Sequence, residues 1–498
     1  MRSPHIGDWS RKGALYYGDS VALVDVAKNR RFTYRELDER ARGLAVALRG
    51  KYGVRKGDRF AMLAHNGVEF LDGFFAAGKS GAIFVPYNWR LHPRELTELA
   101  QAIQPRVIFH SPEFAETAVL MGKAASCPTV ALGEDYEALL GATGEVREDV
   151  EPEDIACFLF TGGTTGLPKA ARLSHRMLAW NSFNTAIHEV HHGDVTITHT
   201  PMFHTGGLFV HTLPALVMGG RVVLMRRWDT EEMVRLVEQE RVTVFFCVPS
   251  QYVALLQSPT LPKADWRSVR FLTSGGAPLP VEVQRAFRAL HDIPFKQGFG
   301  MTEFGPGALT LAPADAQAHV GSVGRPNYFV EASIQKQGRV VAADEVGELC
   351  FRGPALFSGY YDPGGTAAFV DAQGWFHSGD LARADAQGFV TIVGREKDMF
   401  ISGGENVYPI EVESILHAHP AVANCAVVGV PDTKWGEVGV AFVVLKPSQS
   451  LDEAPLLAFL ADRLARYKLP RRIVFRDALP LSPVGKVLKG VLRQEAAS

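Results

Sequence analysis

The stretch Thr161–Ala170 reads Thr-Gly-Gly-Thr-Thr-Gly-Leu-Pro-Lys-Ala. Glycines let backbone N–H groups approach a ligand without a Cβ in the way. Successive N–H groups of such a turn form an anion-binding nest. Threonine hydroxyls add donors and Lys169 adds a positive charge, a combination suited to a polyphosphate. The spacing is not that of a Walker A loop, because Leu167-Pro168 separates Gly166 from the lysine. The same residues would also make a flexible surface turn, and the stretch alone leaves both readings open.

Other stretches carry polar chemistry beside glycines. Pro201–Gly207 sets His204 between Phe203 and Thr205-Gly206-Gly207, where a lone histidine is more often structural than catalytic. Phe271–Ser274 ends in Gly275-Gly276-Ala277-Pro278. Phe295–Glu303 reads Phe-Lys-Gln-Gly-Phe-Gly-Met-Thr-Glu. Phe299, flanked by Gly298 and Gly300, could stack on a base; Thr302 could contact phosphate, and Glu303 a magnesium ion held by one carboxylate plus phosphate oxygens. His377-Ser378-Gly379-Asp380 places an acid at a turn that could accept from ribose hydroxyls, although Asp also favours turns for local reasons. Pro483–Lys489 carries Lys486 behind a glycine turn, and taken alone Lys486 reads first as a solvated tail residue.

The elements that must position these groups alternate. Thr33 and Glu36 form a capping box for a helix with apolar residues at Leu37, Ala41, Leu44, Ala45 and Leu48. Strands are expected at Phe60–Ala64, Ala82–Pro86, Arg106–His110, Thr129–Leu132 and Ile155–Phe160, with a helix over Glu69–Lys79. Ser174 caps a helix to Ile187, and Arg221–Met225 and Thr243–Val248 continue the strands. This alternation predicts parallel sheets wrapped by helices. Val341–Val390, with short alternating strands, predicts a small β-barrel or meander. Gly394–Asp398 reads as a charged, strand-free break before a small α+β domain. The fold class is therefore α/β plus α+β: an N-terminal domain over 1–394, with two wrapped sheets and the small barrel, and a mobile C-terminal domain over 395–498 that carries Lys486.

A chain of 498 residues is long enough for more than one core. Its net charge of −2 gives no overall basic footprint, so nucleic acid is not favoured as a partner. Its five cysteines are scattered without a CxxC pair, which indicates neither a zinc site nor a disulfide framework. No apolar run has the length of a bilayer span, and Met1–Tyr17 lacks the apolar core of a signal peptide. A cytoplasmic protein is expected, with peripheral membrane contact left open.

Taken in order, Thr161–Ala170, Pro201–Gly207, Gln297–Glu303, His377–Asp380, Gly394–Glu413 and Pro483–Lys489 closely resemble the motifs of the adenylate-forming superfamily of acyl-CoA synthetases, luciferases and peptide-synthetase adenylation domains. The resemblance spans essentially the whole chain. It is greatest to the fatty acyl-CoA and aryl-CoA synthetase branch, in Ser402–Pro409, Trp435-Gly436-Glu437 and Arg466–Pro470.

The resemblance implies an AMP-forming acid–thiol ligase using ATP, Mg2+ and CoA, with a homodimer as the assembly considered. By it, Thr161, Gly162, Gly163, Thr164, Thr165 and Lys169 would cradle the β,γ-phosphates. Thr302 and Glu303 would contact the α-phosphate and magnesium; Gly276, Ala277, Gln297, Gly298 and Phe299 would surround adenine; Asp380 and Arg395 would hold ribose. Lys486 would be the adenylation lysine, His204 would gate the carboxylate, Lys397 would occupy the hinge, and Gly403-Gly404 would line the pantetheine path.

This chain departs from the family at several points. Gly163 and Ala170 replace the usual serine and glycine of the phosphate loop, and Phe299 replaces a commoner tyrosine. Gly206 and Val210 stand where hydroxycinnamate-type ligases place a tyrosine and a serine, which favours an alkyl chain over a phenol. A medium- or long-chain fatty acid is therefore the expected substrate, with an aryl acid as the alternative. An amino-acid adenylation domain would carry aspartate at His204. A non-catalytic relic predicts loss of Lys169, Glu303 or Lys486, and all are present.

Overall fold

Thr33 ends a strand and starts a helix by the same hydrogen bonds. Its Oγ1 accepts from the Glu36 N–H at 3.1 Å, and the Glu36 carboxylate accepts from the Thr33 N–H at 2.7 Å. Such a cap stabilises a helix by about 1 kcal/mol. The helix Tyr34–Lys51 that follows buries Leu37, Ala41, Leu44, Ala45 and Leu48, the face read from the sequence. Ser174 likewise caps the helix His175–His188, accepting from the Met177 N–H. The computed structural model describes residues 7–146, 148–161, 168–188, 190–277, 279–362, 368–482 and 487–497.

Packing divides these residues into two units. The first is Met1–Glu331 with Arg352–Gly374, and the second is Ala332–Phe351 with Trp375–Ser498. The five-stranded sheet that the sequence groups with the N-terminal domain is thus assigned, but for its end residues Glu331 and Arg352, to the second unit.

The first unit holds two wrapped sheets. One has nine strands, with Val195–Thr198, Val244–Cys247, Phe271–Gly275 and Phe295–Gly300 parallel and adjacent. The other has six, with Arg59–Leu63 parallel to Ile83–Pro86 and Ile108–His110, and an antiparallel edge pair Ile155–Thr161 and Lys169–Ser174. Helix Val68–Ser80 is buried along its whole length. Cys157 and Cys247 are fully buried, as their apolar neighbours predict.

The second unit holds two smaller sheets. The glycine-rich region forms five strands, running Arg339–Val340, Glu331–Lys336, Gly347–Arg352, Phe376–Ala384, Val390–Arg395. Two expectations are corrected here. Gly394 and Arg395 are not a strand-free break; they end Val390–Arg395, because they pair with Leu381 and Asp380. Asp380 is therefore inside a strand and buried rather than at a turn tip. The last sheet is built on the long hairpin Val422–Asp432 and Gly436–Leu445, with Arg472–Arg476 added in parallel. Lys489 opens a final helix, Lys489–Ala497.

Candidate active site

The edge pair brings Thr161 opposite Lys169 as Cα partners, and the Thr161 hydroxyl donates to the Lys169 carbonyl at 3.4 Å. Gly162, Gly163, Thr164 and Thr165 lie outside the described residues. The segment Phe357–Tyr361 docks along Lys169–Ser174: Arg172 N–H donates to Gly359 O, and Tyr361 N–H donates to Ala170 O. This places Tyr360 under Lys169, whose Nζ stands 5.2 Å from the ring centroid.

The Tyr360 hydroxyl donates to Glu303 Oε1 at 2.6 Å. Glu303 is buried in the short turn Thr302–Phe304, and its carbonyl accepts from the Phe357 N–H at 2.9 Å. Burial, then the adjacent Glu303 charge, push the Tyr360 hydroxyl well above its ordinary range. Tyr360 thus stays a donor at any working pH. Sequence reading missed it, because nothing local distinguishes one tyrosine 57 residues from its partner.

The strand ends Phe271–Gly275 and Phe295–Gly300 are parallel partners, with Ser274 facing Gln297 and Gly275 facing Gly298. A Cβ on Gly275 would stand 2.9 Å from Gly298 O, so this close approach requires glycine. Gly276 continues at φ +81°. Gly276 and Ala277 are exposed, and Gln297, Gly298 and Phe299 are half-buried, leaving a glycine-floored edge beside Thr302 and Glu303.

His204 caps the short turn Thr205–Leu208, its Nδ1 accepting from the Gly206 N–H at 3.2 Å. The loop before it is held by Asn66, whose Nδ2 donates to Thr200 O and whose Oδ1 accepts from the Met202 N–H, both at 2.9 Å. Sequence reading did not single out Asn66. Phe246 joins the two sides. A Cβ on Gly206 would lie 3.6 Å from its ring, and one on Gly275 would lie 3.3 Å from it. Behind Phe246, His199 Nε2 stands 2.9 Å from the Phe246 carbonyl and 3.2 Å from Cys247 Sγ. Burial lowers the His199 pKa to about 4, so the ring is neutral at neutral pH.

In the second unit, Asp380 and Arg395 are cross-strand partners, with Arg395 Nε donating to Asp380 Oδ1 at 3.0 Å. Lys397 is exposed in the following turn. Gly403 and Gly404, at φ +62° and +87°, turn the hairpin between Phe400–Ser402 and Glu405–Val407. Gly403 N–H donates to Trp435 O at 2.8 Å, and a Cβ there would stand 2.9 Å from the indole. Lys486 lies outside the described residues.

Residues 11–361 match the family model of the AMP-binding enzyme, and residues 411–486 match that of the AMP-binding enzyme C-terminal domain. The chain belongs to the AMP-binding enzyme family. It is 39% identical to a feruloyl-CoA synthase from an Amycolatopsis species, over 99% of each chain. It is 33% identical to a long-chain-fatty-acid–CoA ligase from Mycobacterium tuberculosis, over 99% of this chain and 98% of that one. The ATP-bound crystal structure of MatB from Rhodopseudomonas palustris superposes with a TM-score of 0.90 at 31% identity, over 98% of each chain. This AMP-binding enzyme is an acid–thiol ligase by family, with the large N-terminal and small C-terminal domains of that fold. Among its described residues no helix is long and apolar enough to cross a membrane.

Proposed function

We propose that this AMP-binding enzyme joins an aryl-bearing carboxylic acid to CoA through an acyl-adenylate. The observation that carries the reaction is the line Lys169–Tyr360–Glu303 beside the glycine-floored strand ends. In the first step a carboxylate oxygen attacks the α-phosphorus of ATP, the bond to the bridging β-oxygen breaks, and pyrophosphate leaves. In the second the CoA sulfur attacks the acyl carbonyl, the bond to AMP breaks, and the thiol proton passes to solvent.

The first step crowds negative charge, so fixed donors and charges serve it most. Thr161–Thr165 with Lys169 hold the β,γ-phosphates, and Thr302 meets the α-phosphate. Gly276, Ala277 and Gln297–Phe299 take the adenine, and Asp380 and Arg395 the ribose. Glu303 suits magnesium: Tyr360 occupies Oε1, leaving Oε2 as a single hard oxygen ligand to share with phosphates. When bound, the cation neutralises charge building on the phosphates. Lys486 serves adenylation, and the Gly403-Gly404 turn serves thioester formation. Lys397 is the hinge.

Phe246 supports an aryl substrate. Its ring edge lies beside both Gly206 and Gly275, an apolar aromatic edge against which a substrate ring could pack edge-to-face. The higher identity to a feruloyl-CoA synthase than to a long-chain-fatty-acid ligase points the same way. A fatty acid is the second reading. It is favoured by Gly206 and half-buried Val210, which offer no polar group to a phenol.

Pyrophosphate release with ATP and magnesium, with and without CoA, tests both across ferulate, benzoate, octanoate and palmitate. CoA-dependent turnover on the aryl acids at more than ten times the alkyl kcat/KM, about the discrimination an apolar pocket supplies, is the expected result. The reverse order establishes the fatty acid reading, and no turnover on any acid defeats both.

A further inference from the structure

The five-stranded sheet carries a cluster of donors that the ligation chemistry does not use. Glu348 and Cys350 lie two residues apart on Gly347–Arg352, so the strand period turns them to one face. His377, on Phe376–Ala384, is the Cα partner of Cys350. Glu348 pairs with Leu381, so Ser378, Gly379 and Asp380 all face Leu349. Extra residues in one strand bend it locally. Here the bend leans His377 back towards Glu348, while the Gly379 N–H donates to Glu348 Oε1 at 3.0 Å.

His377 Nδ1 stands 2.7 Å from Glu348 Oε2 and 3.5 Å from Cys350 Sγ. All these ligand atoms lie within 4.8 Å of one another. Both contacts fall on the same ring nitrogen. Nitrogen, sulfur and oxygen converging on one point is the geometry of a chelate. In a tetrahedral zinc site the bond lengths put nitrogen and sulfur about 3.5 Å apart, the separation seen here, and nitrogen and oxygen roughly 0.7 Å wider than the present hydrogen bond. A small rotation of the half-buried Glu348 side chain supplies that opening.

We propose that Glu348, Cys350 and His377 form a binding site for a zinc-class divalent cation. The mixed set of thiolate, imidazole and carboxylate selects zinc over magnesium or calcium, which take oxygen ligands alone. Cys350 is fully buried, whereas the His377 side chain is 41% exposed, so the cation enters from the imidazole side and keeps an outward position for water. Binding releases the Cys350 thiol proton, which now points to the Glu348 carbonyl at 3.7 Å. It would also fix the bulge that holds Asp380.

The test uses the full chain, stripped with chelator and titrated with Co2+. One cobalt per chain with thiolate-to-cobalt charge-transfer absorption, displaced by Zn2+, is expected. Cobalt at Glu303 would have oxygen ligands only and no such band. Cys350→Ser should abolish the band. His377→Gln, at a part-exposed position that does not threaten folding, should weaken cobalt binding by more than the ~10–100-fold that losing an outer-shell partner costs. Cys127→Ser should change nothing. No band in the parent protein means that the His377–Glu348 hydrogen bond only pins the strands, and the proposal fails. It fails equally if His377→Gln binds as tightly as the parent, or if Cys127→Ser alone removes the band.

Discussion

The Tyr360 hydroxyl holds Glu303 by one oxygen at 2.6 Å, across 57 residues of sequence. The same ring lies beneath Lys169. One side chain thus sets both the carboxylate proposed for magnesium and the lysine proposed for the γ-phosphate. Tyr360→Phe keeps the ring and removes only the donor. A hydrogen bond to a charged group is worth about 1.5–3 kcal/mol. ATP–pyrophosphate exchange should therefore fall roughly 10- to 100-fold, with the thermal midpoint little changed. Unchanged exchange would remove Tyr360 from the site.

Lys486→Ala separates the half-reactions. Loss of a charge-stabilising donor should cut adenylate formation by about 100- to 1,000-fold. Thioester formation from supplied acyl-adenylate and CoA should persist. Single-turnover assays of each half check this, and equal losses in both would show that one lysine does not serve adenylation alone.

Gly206 faces Phe246 with room for a Cβ, which would meet the ring at 3.6 Å and His204 Nδ1 at 3.4 Å. A larger side chain would fill the space in front of the ring. Gly206→Trp should lower kcat/KM for ferulate or octanoate by about 10-fold or more, the scale of apolar pocket discrimination, and leave propanoate nearly unchanged. Equal losses for all acids would place the acyl site elsewhere.

His175 is buried with no hydrogen-bond partner on either ring nitrogen among the described residues. Burial lowers its pKa from 6.5 to about 4. The folded value lies below the unfolded one, so the stability of this neutral ring is present above pH 6.5 and is lost as pH falls towards 4. The full difference amounts to roughly 3 kcal/mol. Asp72, raised to about 6 by burial, runs the other way, its stability being lost as pH rises through 6. Comparing His175→Leu with the parent isolates the histidine. The variant should lose about one proton of uptake on unfolding between pH 6.5 and 4, measured from the pH dependence of the unfolding free energy. An unchanged slope would show that His175 is charged in the folded protein.

Much of this enzyme was legible along the chain, because the informative signals are local. Thr33 and Glu36 announce their helix within four residues, since capping is satisfied by neighbouring N–H groups. Glycines at 275 and 276 mark a strand end because only a residue without Cβ tolerates the approach of Gly298 and the left-handed turn that follows. The order of short motifs was enough to reach the family to which the chain belongs.

What stayed hidden depends on register and on packing between distant segments. Asp380 and Arg395 read as a turn and a break until strand pairing set them face to face, because a single shift in register decides whether such residues meet. Tyr360, Asn66 and Phe246 carry no local mark; each gains its place from a partner on another element. Residue order determined the chemistry that could be assembled here. Long-range pairing decided which atoms stand within hydrogen-bond distance, since that choice rests on contacts that no window of neighbouring residues contains.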